Sequence, residues 1–290
     1  MPPSLTQLEN AHLSLTVADL GAEMQSLRLA DGRELLWNGD AAHWSGRAPV
    51  LFPIVGRAPE DRIAVGDFAA DMAQHGFARR SVFELEESGP DLCRHVLRDN
   101  AATRAVYPFG FALSLTHRLD GAAVEVCAEV RNCDARDMPF GFGFHPAFRW
   151  PLPRCEGDPH EVVLDNGAEP DRACLEDGLL TPTREASPFD KGRIGITPGM
   201  FDDGALVFPR GAGTGLRYGV AGGAQLLFRF DNLPNLALWS KPGAPFLCIE
   251  PWHGMAAEVG GSPQIAERPF SLVLGAGDVA RFGWRAEVRL

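Results

Sequence analysis

The feature that most constrains the fold is a pair of alternating segments joined by a short polar turn. Residues 111–119 and residues 124–130 each alternate apolar and polar side chains, and Asp120-Gly121 lies between them. An Asp-Gly pair between two alternating runs is the strongest short-range signal for a β-hairpin. Other strand-like segments are residues 12–17, 81–87, 92–98, 225–230 and 279–290. This pattern predicts a chain built mainly from antiparallel strands.

Turn-forming residues support the same prediction. The chain has 32 Gly and 23 Pro, and no segment of about fifteen residues keeps a helical period. Residues 151–198 are rich in Pro, Gly and charge, which predicts long loops with a few short strands rather than a domain boundary. The glycine-rich residues 211–215 do not complete a dinucleotide fingerprint, and we expect a hairpin loop there. We therefore predict an all-β sandwich or barrel that forms a single domain over residues 1–290.

Charge and composition exclude several classes of function. The formal net charge is −11, and no run of Lys and Arg provides the clustered cations that a nucleic acid requires. No apolar run approaches the ~20 residues needed to cross a bilayer, so no membrane partner is expected. None of the six cysteines forms a Cys-x-x-Cys pair, and the first residues lack a secretory pattern. We expect reduced thiols, a cytoplasmic location, and a monomer or homodimer.

Glu250 is the first candidate for chemistry. It follows the apolar residues 246–249, which are typical of a buried strand, and Pro251 is expected to end that strand. A carboxylate in such a place must be paired, hydrogen-bonded or shifted in pKa. A structural glutamate that caps a turn is an equally good interpretation of the position alone.

Two histidines and an arginine occur in similar settings. His145 follows a Phe- and Gly-rich strand, although a histidine among aromatic residues is more often a satisfied core residue. His75 lies in a Gln-His-Gly-Phe turn that could equally be an exposed loop. Arg57 offers a rigid fork of donors suited to hydroxyls, carboxylate or phosphate, but a surface ion pair is commoner. Trp239 is one of several aromatic residues near these clusters that could stack on the apolar face of a sugar.

Competing site chemistries have little support in the sequence. A His-Glu-x-x-His helix and a Cys/His ligand spacing are absent, so no metal is expected. A Gly-x-Ser-x-Gly nucleophile elbow is also absent. A glycosidase would need two carboxylates across one bond, and nothing singles out such a pair.

Taken together, the motifs resemble those of the aldose 1-epimerase (mutarotase) family. The matching segments are residues 51–57 (Leu-Phe-Pro-Ile-Val-Gly-Arg), 74–79 (Gln-His-Gly-Phe-Ala-Arg), 143–146 (Gly-Phe-His-Pro) and 248–252 (Cys-Ile-Glu-Pro-Trp). The resemblance runs from about residue 10 to the C-terminus. It implies a large two-sheet β-supersandwich with few or no long helices and with the sugar in a cleft on one face.

The resemblance also implies roles for individual residues. His145 resembles the general acid that protonates the ring oxygen of the sugar, and Glu250 resembles the base that deprotonates the anomeric hydroxyl. His75 resembles the second site histidine, which holds the substrate, and Arg57 matches an arginine that binds sugar hydroxyls. Asp203 is the position that matches a hydroxyl-binding aspartate. The implied reaction interconverts α and β anomers of an aldose without a cofactor.

Two alternatives remain open at this point. The segment that contains Arg79 also occurs in relatives that act on hexose 6-phosphates, where such arginines help to bind phosphate. Arg57 and Arg79 could together form such an anion site. A non-catalytic carbohydrate-binding protein on the same fold is the second alternative, although a binder has no need of an acid–base pair.

Overall fold

The computed structural model describes residues 3–289, and its regular structure is almost entirely β. A single α-helix in this range, α1 (Ala101–Val106), is capped by the side chain of Asn100. Three 3₁₀ turns occur at Pro59–Asp61, Ala78–Arg80 and Ile265–Glu267. The strands are β1 (Leu5–Glu9), β2 (Leu13–Ala18), β3 (Met24–Leu29), β4 (Val50–Leu51), β5 (Arg62–Val65), β6 (Phe68–Asp71), β7 (Glu84–Ser88), β8 (Leu92–Arg98), β9 (Phe111–Asp120), β10 (Ala123–Asn132), β11 (Met138–Phe140), β12 (Phe142–Phe144), β13 (Ala147–Arg149), β14 (His160–Leu164), β15 (Arg172–Glu176), β16 (Leu179–Glu185), β17 (Arg193–Gly195), β18 (Leu206–Phe208), β19 (Gly215–Val220), β20 (Gln225–Asp231), β21 (Asn235–Trp239), β22 (Phe246–His253), β23 (Leu272–Leu274) and β24 (Val279–Arg289).

Two large sheets pack face to face and enclose the main core. One has nine strands in the order β17-β14-β19-β20-β24-β10-β9-β8-β7, and the other has eight, β16-β15-β18-β21-β22-β12-β4 with β13 paired to β22. Aromatic rings join them: Phe142 lies 4.8 Å from Phe282, and Phe148 lies 5.2 Å from Phe228. Such interdigitation of inner faces is the usual packing of a β-sandwich. The predicted all-β, two-sheet architecture is confirmed.

The predicted hairpin is confirmed and lies inside the nine-stranded sheet, between β24 and β8. β9 and β10 pair antiparallel from Phe111 opposite Asn132 to Asp120 opposite Ala123. Gly121, in the two-residue loop, has a φ of 56°, a conformation that glycine adopts at little cost. A smaller sheet of β1, β2 and β3 packs near β8 and β9. Strands also form at the other predicted segments, although residue 290 lies outside the described residues.

Residues 151–198 contain four short strands, β14 to β17, joined by loops, as predicted, and these strands extend both large sheets. A second local prediction needs correction. Residues 211–215 do not form a hairpin loop, because β18 before them and β19 after them belong to different sheets. A glycine-rich segment signals a turn but cannot tell whether the chain then returns to the same sheet.

β22 shows how the eight-stranded sheet creates a functional face. Successive side chains of a strand point to opposite faces. Leu247 and Ile249 belong to the main core between the sheets, whereas Cys248 and Trp252 belong to separate clusters on the other face. Glu250 lies two residues from each of them along the strand, so its side chain points to the same face, away from the main core. The outer face of this sheet carries the candidate site.

The prediction that Pro251 ends its strand is wrong. β22 continues through Pro251, which lies opposite Leu236 of β21. Ile249 donates its N–H to the carbonyl of Pro146, so the missing N–H of Pro251 points to the same side of the strand. On that side the neighbouring chain bends at His145 between β12 and β13, and no ladder hydrogen bond is lost there.

Candidate active site

A cavity of about 410 Å³ lies on the outer face of the eight-stranded sheet. This volume is within the range of small-molecule sites. Its wall includes five of the seven residues that the sequence singled out: His75, Arg79, His145, Trp239 and Glu250. They come from four separate parts of the chain, and the fold brings them to one place.

Glu250 forms the floor of the cavity. It pairs with Ala237 of the neighbouring strand β21, and only 2% of its surface is exposed. Ala237 has a small side chain, which leaves the carboxylate free on the cavity side. The Oε2 atom of Glu250 lies 3.1 Å from Nε2 of His145. The two groups therefore form a buried acid–base pair.

The bend between β12 and β13 positions His145. Its backbone N–H donates to the carbonyl of Pro49, and Pro146 follows it directly. The imidazole stacks on the indole of Trp44 at 5.0 Å and meets Trp239 edge-on at 5.8 Å. These aromatic contacts fix the plane of the ring while its Nε2 faces Glu250.

Burial shifts the pKa values of the pair in opposite directions. Loss of water lowers the pKa of His145 to about 3 and raises the pKa of Glu250 well above its ordinary value. Both shifts favour the neutral forms, a carboxylic acid beside a neutral imidazole. In this form the pair holds one transferable proton, which can lie on either partner.

His75 is held in an unusual conformation by Gly56. Its φ of 67° is in the left-handed region, which costs a non-glycine residue about 1–2 kcal/mol. The N–H of His75 donates to the carbonyl of Gly56, and the N–H of Gly56 donates to Nδ1 of His75, each at 3.0 Å. Because Nδ1 accepts a hydrogen bond, the proton of the neutral ring lies on Nε2. The ring is perpendicular to that of His145, with centroids 5.7 Å apart.

The electrostatic surroundings keep His75 neutral. Burial is the largest cause that lowers its pKa well below the ordinary value, and His145, Arg79, Arg268 and Arg80 lower it further. A neutral imidazole with Nδ1 occupied can donate one hydrogen bond through Nε2. His75 therefore contributes a fixed donor rather than a cation.

Arg79 adds a positive charge to the cavity wall. Its Nη2 donates to the carbonyl of Gln74 at 3.0 Å, and its Nε is buried without a partner. Within residues 3–289, no carboxylate forms an ion pair with this guanidinium. Burial lowers its pKa, but arginine remains charged at neutral pH.

Arg57 and Asp203 do not line the cavity. The guanidinium of Arg57 forms a two-pronged pair with Asp61 at 2.8 and 2.9 Å and donates to the carbonyl of Asp177 at 3.1 Å. It thus braces the loop whose next residue, Gly178, forms part of the wall. Asp203 is exposed on the loop that precedes β18.

Among the side chains of the wall, Trp44 was not indicated by the sequence, and Gln74 appeared only as a member of the 74–79 segment. Trp44 lies on the loop between β3 and β4 and has no strand pattern around it, so nothing local indicated that its ring would cover His145. Trp252, the last residue of the 248–252 segment, forms another part of the wall. Gly143 makes room for it, since a Cβ there would lie 2.5 Å from Cδ1 of Trp252.

Within residues 3–289, two groups of side chains bring potential metal donors within 4.8 Å of one another. They are Cys93, His95 and His117 in the core, and His145, Cys248 and Glu250 in the site. A thiolate is the form that binds metals, but burial raises the pKa of Cys93 to about 12 and that of Cys248 well above its ordinary value. The site group is therefore better suited to proton transfer than to holding a metal.

Comparison with known proteins identifies the family. The sequence model of the family described as aldose 1-epimerase matches residues 4–186, well over half of the chain. The chain belongs to the aldose 1-epimerase family. Protein LacX (chromosomal) of Lactococcus lactis subsp. lactis is 29% identical over 282 residues, which cover 91% of this chain and 92% of that protein.

Solved structures of similar proteins agree with this assignment. The galactose mutarotase related enzyme from Lactobacillus acidophilus has a TM-score of 0.93 at 28% identity and covers 99% of this chain and 98% of its own. A galactose mutarotase-like protein from Lactobacillus casei ATCC 334 has a TM-score of 0.89 at 26% identity and covers 99% and 100%. The predicted mutarotase-like fold is confirmed. As a member of the aldose 1-epimerase family, the chain is an epimerase-type carbohydrate isomerase.

No membrane span is found among the helices of residues 3–289, since none has both the length and the apolar character to cross a bilayer.

Proposed function

We propose that this aldose 1-epimerase family member interconverts the α and β anomers of an aldose by acid–base opening and closure of the ring. The observation that carries the proposal is the buried pair of His145 and Glu250, whose Nε2 and Oε2 atoms are 3.1 Å apart in the cavity wall. General acid–base catalysis requires donor and acceptor within hydrogen-bond reach of the reacting atoms. One such pair can serve two oxygens that share a carbon.

In the proposed reaction, Glu250 removes the proton from the hydroxyl on C1 while His145 gives a proton to the ring oxygen. The bond between C1 and the ring oxygen breaks, and the electrons of the O–H bond form the carbonyl of the open-chain aldehyde. Rotation about C1–C2 then presents the other face of the carbonyl to the ring hydroxyl. Closure reverses both proton transfers and returns each proton to its source, so no cofactor is consumed.

Burial makes both members of the pair effective in this scheme. A carboxylate whose pKa is raised is a stronger base, and an imidazolium whose pKa is lowered is a stronger acid. Ring opening converts the charged pair, the Glu250 carboxylate and the His145 imidazolium, into the neutral pair that burial favours. Each positioned proton transfer of this kind contributes typically ~10²- to 10⁴-fold to a rate.

Other residues of the wall would hold the sugar. His75 offers a fixed Nε2–H donor, and the indoles of Trp44 and Trp239, which are 86° apart, offer two apolar surfaces. The family resemblance assigns hydroxyl binding to Arg57 and Asp203. Since neither lines the cavity, they would contact only a part of the sugar that reaches its rim.

The test is NMR saturation transfer between the α and β anomeric protons of glucose, galactose and other free aldoses, with and without the protein. The proposal predicts faster exchange than in buffer alone for at least one of them. Binding of a sugar without faster exchange would instead support a carbohydrate-binding protein. Release of reducing ends from aryl glycosides would support a glycosidase.

A second candidate is the same reaction on a hexose 6-phosphate. The observation that favours it is Arg79, a half-buried cation of the wall that pairs with no carboxylate in the described residues. A phosphate could supply the missing negative charge. This candidate predicts that glucose 6-phosphate is preferred over glucose and that Arg79→Gln abolishes the preference. The neighbouring Arg80→Gln is the matched control, because Arg80 is exposed and does not line the cavity.

A further inference from the structure

Arg268 is a buried cation just behind the cavity wall. It follows the 3₁₀ turn Ile265–Glu267, and only 6% of its surface is exposed. Its Nη2 donates to the carbonyl of Val55 at 2.6 Å and to that of Met255 at 3.1 Å, while its Nη1 is buried without a partner. No ion pair joins this guanidinium to a carboxylate within residues 3–289.

The carbonyl of Val55 belongs to the same peptide unit as the N–H of Gly56. That N–H donates to Nδ1 of His75 at 3.0 Å. The peptide unit is planar and resonance-stabilised, so a cation that draws electrons toward the carbonyl oxygen makes the N–H a better donor. Arg268, the peptide and His75 therefore form one continuous chain of hydrogen bonds.

We infer that Arg268 is a positioning residue for the proposed reaction, which acts through the Val55–Gly56 peptide to hold His75 in the tautomer with its proton on Nε2. This role rests on the proposed function, because it matters only if the Nε2–H of His75 serves the sugar. The strengthened N–H of Gly56 makes Nδ1 an obligatory acceptor. The ring then has a single donor, and that donor faces the cavity.

A purely structural brace does not account for the charge. Two carbonyls could be joined by a neutral donor, whereas an unpaired buried guanidinium is costly to desolvate. Its burial lowers the pKa of Arg268 to about 10, so it remains charged at neutral pH. This cation, together with Arg79, Arg80 and His145, opposes protonation of His75.

The experiment records ¹⁵N resonances of the histidine rings and the kinetics of anomeric exchange for the wild type, Arg268→Met and Arg268→Lys. Arg210→Met is the matched control. Arg210 is exposed and lies over the ring of Phe270, so its substitution removes a nearby charge without touching the Val55 peptide. Thermal unfolding of each variant shows whether it is folded.

In the wild type and the control, Nδ1 of His75 is expected to be unprotonated and Nε2 protonated from pH 5 to 8. In Arg268→Met both tautomers are expected, with kcat reduced ~10- to 100-fold, as for loss of a group that orients a site histidine. Arg268→Lys keeps a cation and a donor, so it is expected to restore in part the His75 tautomer with its proton on Nε2. This expectation can be tested even if the methionine variant does not fold.

An unchanged His75 tautomer and kcat in folded Arg268→Met, or no difference between Lys and Met at this position, would overturn the inference. The ring resonances do not depend on turnover. A protein with the predicted tautomer behaviour and no anomeric exchange would contradict the proposed function alone.

Discussion

The acid side of the pH profile follows from the buried pair of His145 and Glu250. The scheme needs one transferable proton on the pair, because a second proton removes the base. Burial lowers the pKa of His145 to about 3, so the second proton binds only near that pH. Activity is therefore expected to persist well below the pH at which an ordinary histidine becomes charged.

The size of the effect can be worked out for pH 5. A histidine with the ordinary pKa of about 6.5 would be neutral in only ~3% of molecules at pH 5, and kcat/KM would fall about 30-fold from its value at pH 7.5. With a pKa of about 3, only ~1% of His145 is protonated at pH 5. We expect kcat/KM at pH 5 to equal the value at pH 7.5 within a factor of two.

The assay is saturation transfer between anomers of the best aldose, measured at half-unit intervals from pH 4.5 to 9, after subtraction of the buffer-catalysed rate. Near-ultraviolet circular dichroism at each pH shows that the protein remains folded. A fall in kcat/KM of tenfold or more between pH 7.5 and 5, with an apparent pKa near 6.5, would refute the reasoning about burial. On the alkaline side the rate should fall only above the ordinary carboxyl range, since burial raises the pKa of Glu250.

Three other predictions test separate parts of the structure. Trp44→Ala should raise KM by roughly 3- to 10-fold, because the sugar loses an aromatic contact. It should also move the acidic fall of kcat/KM to higher pH, because water then reaches His145. An unchanged pH profile of kcat/KM would argue that the 5.0 Å stack of Trp44 does not shield His145 from water. Burial lowers the pKa of His117 to about 3, so below pH 6.5 the unfolded chain binds more protons than the folded protein. This residue should therefore cost about 2 kcal/mol of folding stability at pH 5 relative to pH 7.5. Urea unfolding of His117→Leu should lack this loss, and an equal dependence of the unfolding free energy on pH in variant and wild type would contradict the prediction. Gly56→Ala should lower both Tm and kcat, because φ is +70° there and the new Cβ would lie 2.6 Å from that of Ala256; a fully active, equally stable variant would mean that the loop relaxes freely.

The strand framework was predictable because its signals are local. Asp120-Gly121 between alternating segments specifies a turn and the register of two strands within about twenty residues. The sheet to which a strand belongs is not a local property. The crossing between sheets at residues 211–215 was therefore not predicted correctly.

The candidate site was predictable only in part, for a similar reason. Glu250 was indicated by its position after a buried apolar run, but the continuation of its strand through Pro251 depends on a bend at His145 in a neighbouring strand. Trp44 gives no sign in its own sequence context that it will stack on His145. Arg57 matches a family motif, yet its guanidinium pairs with the carboxylate of Asp61 four residues later and does not line the cavity.

The central claim is that the His145–Glu250 pair moves the protons of the sugar. The most direct test compares anomeric exchange by the wild type, Glu250→Gln and the control Glu258→Gln, which removes an exposed carboxylate next to the wall residue Leu180 in the fold. We predict that Glu250→Gln lowers kcat by ~10²- to 10⁴-fold while Tm stays close to that of the wild type, because the amide is isosteric and burial already disfavours the carboxylate. The control should match the wild type. Exchange that persists undiminished in folded Glu250→Gln would contradict the claim.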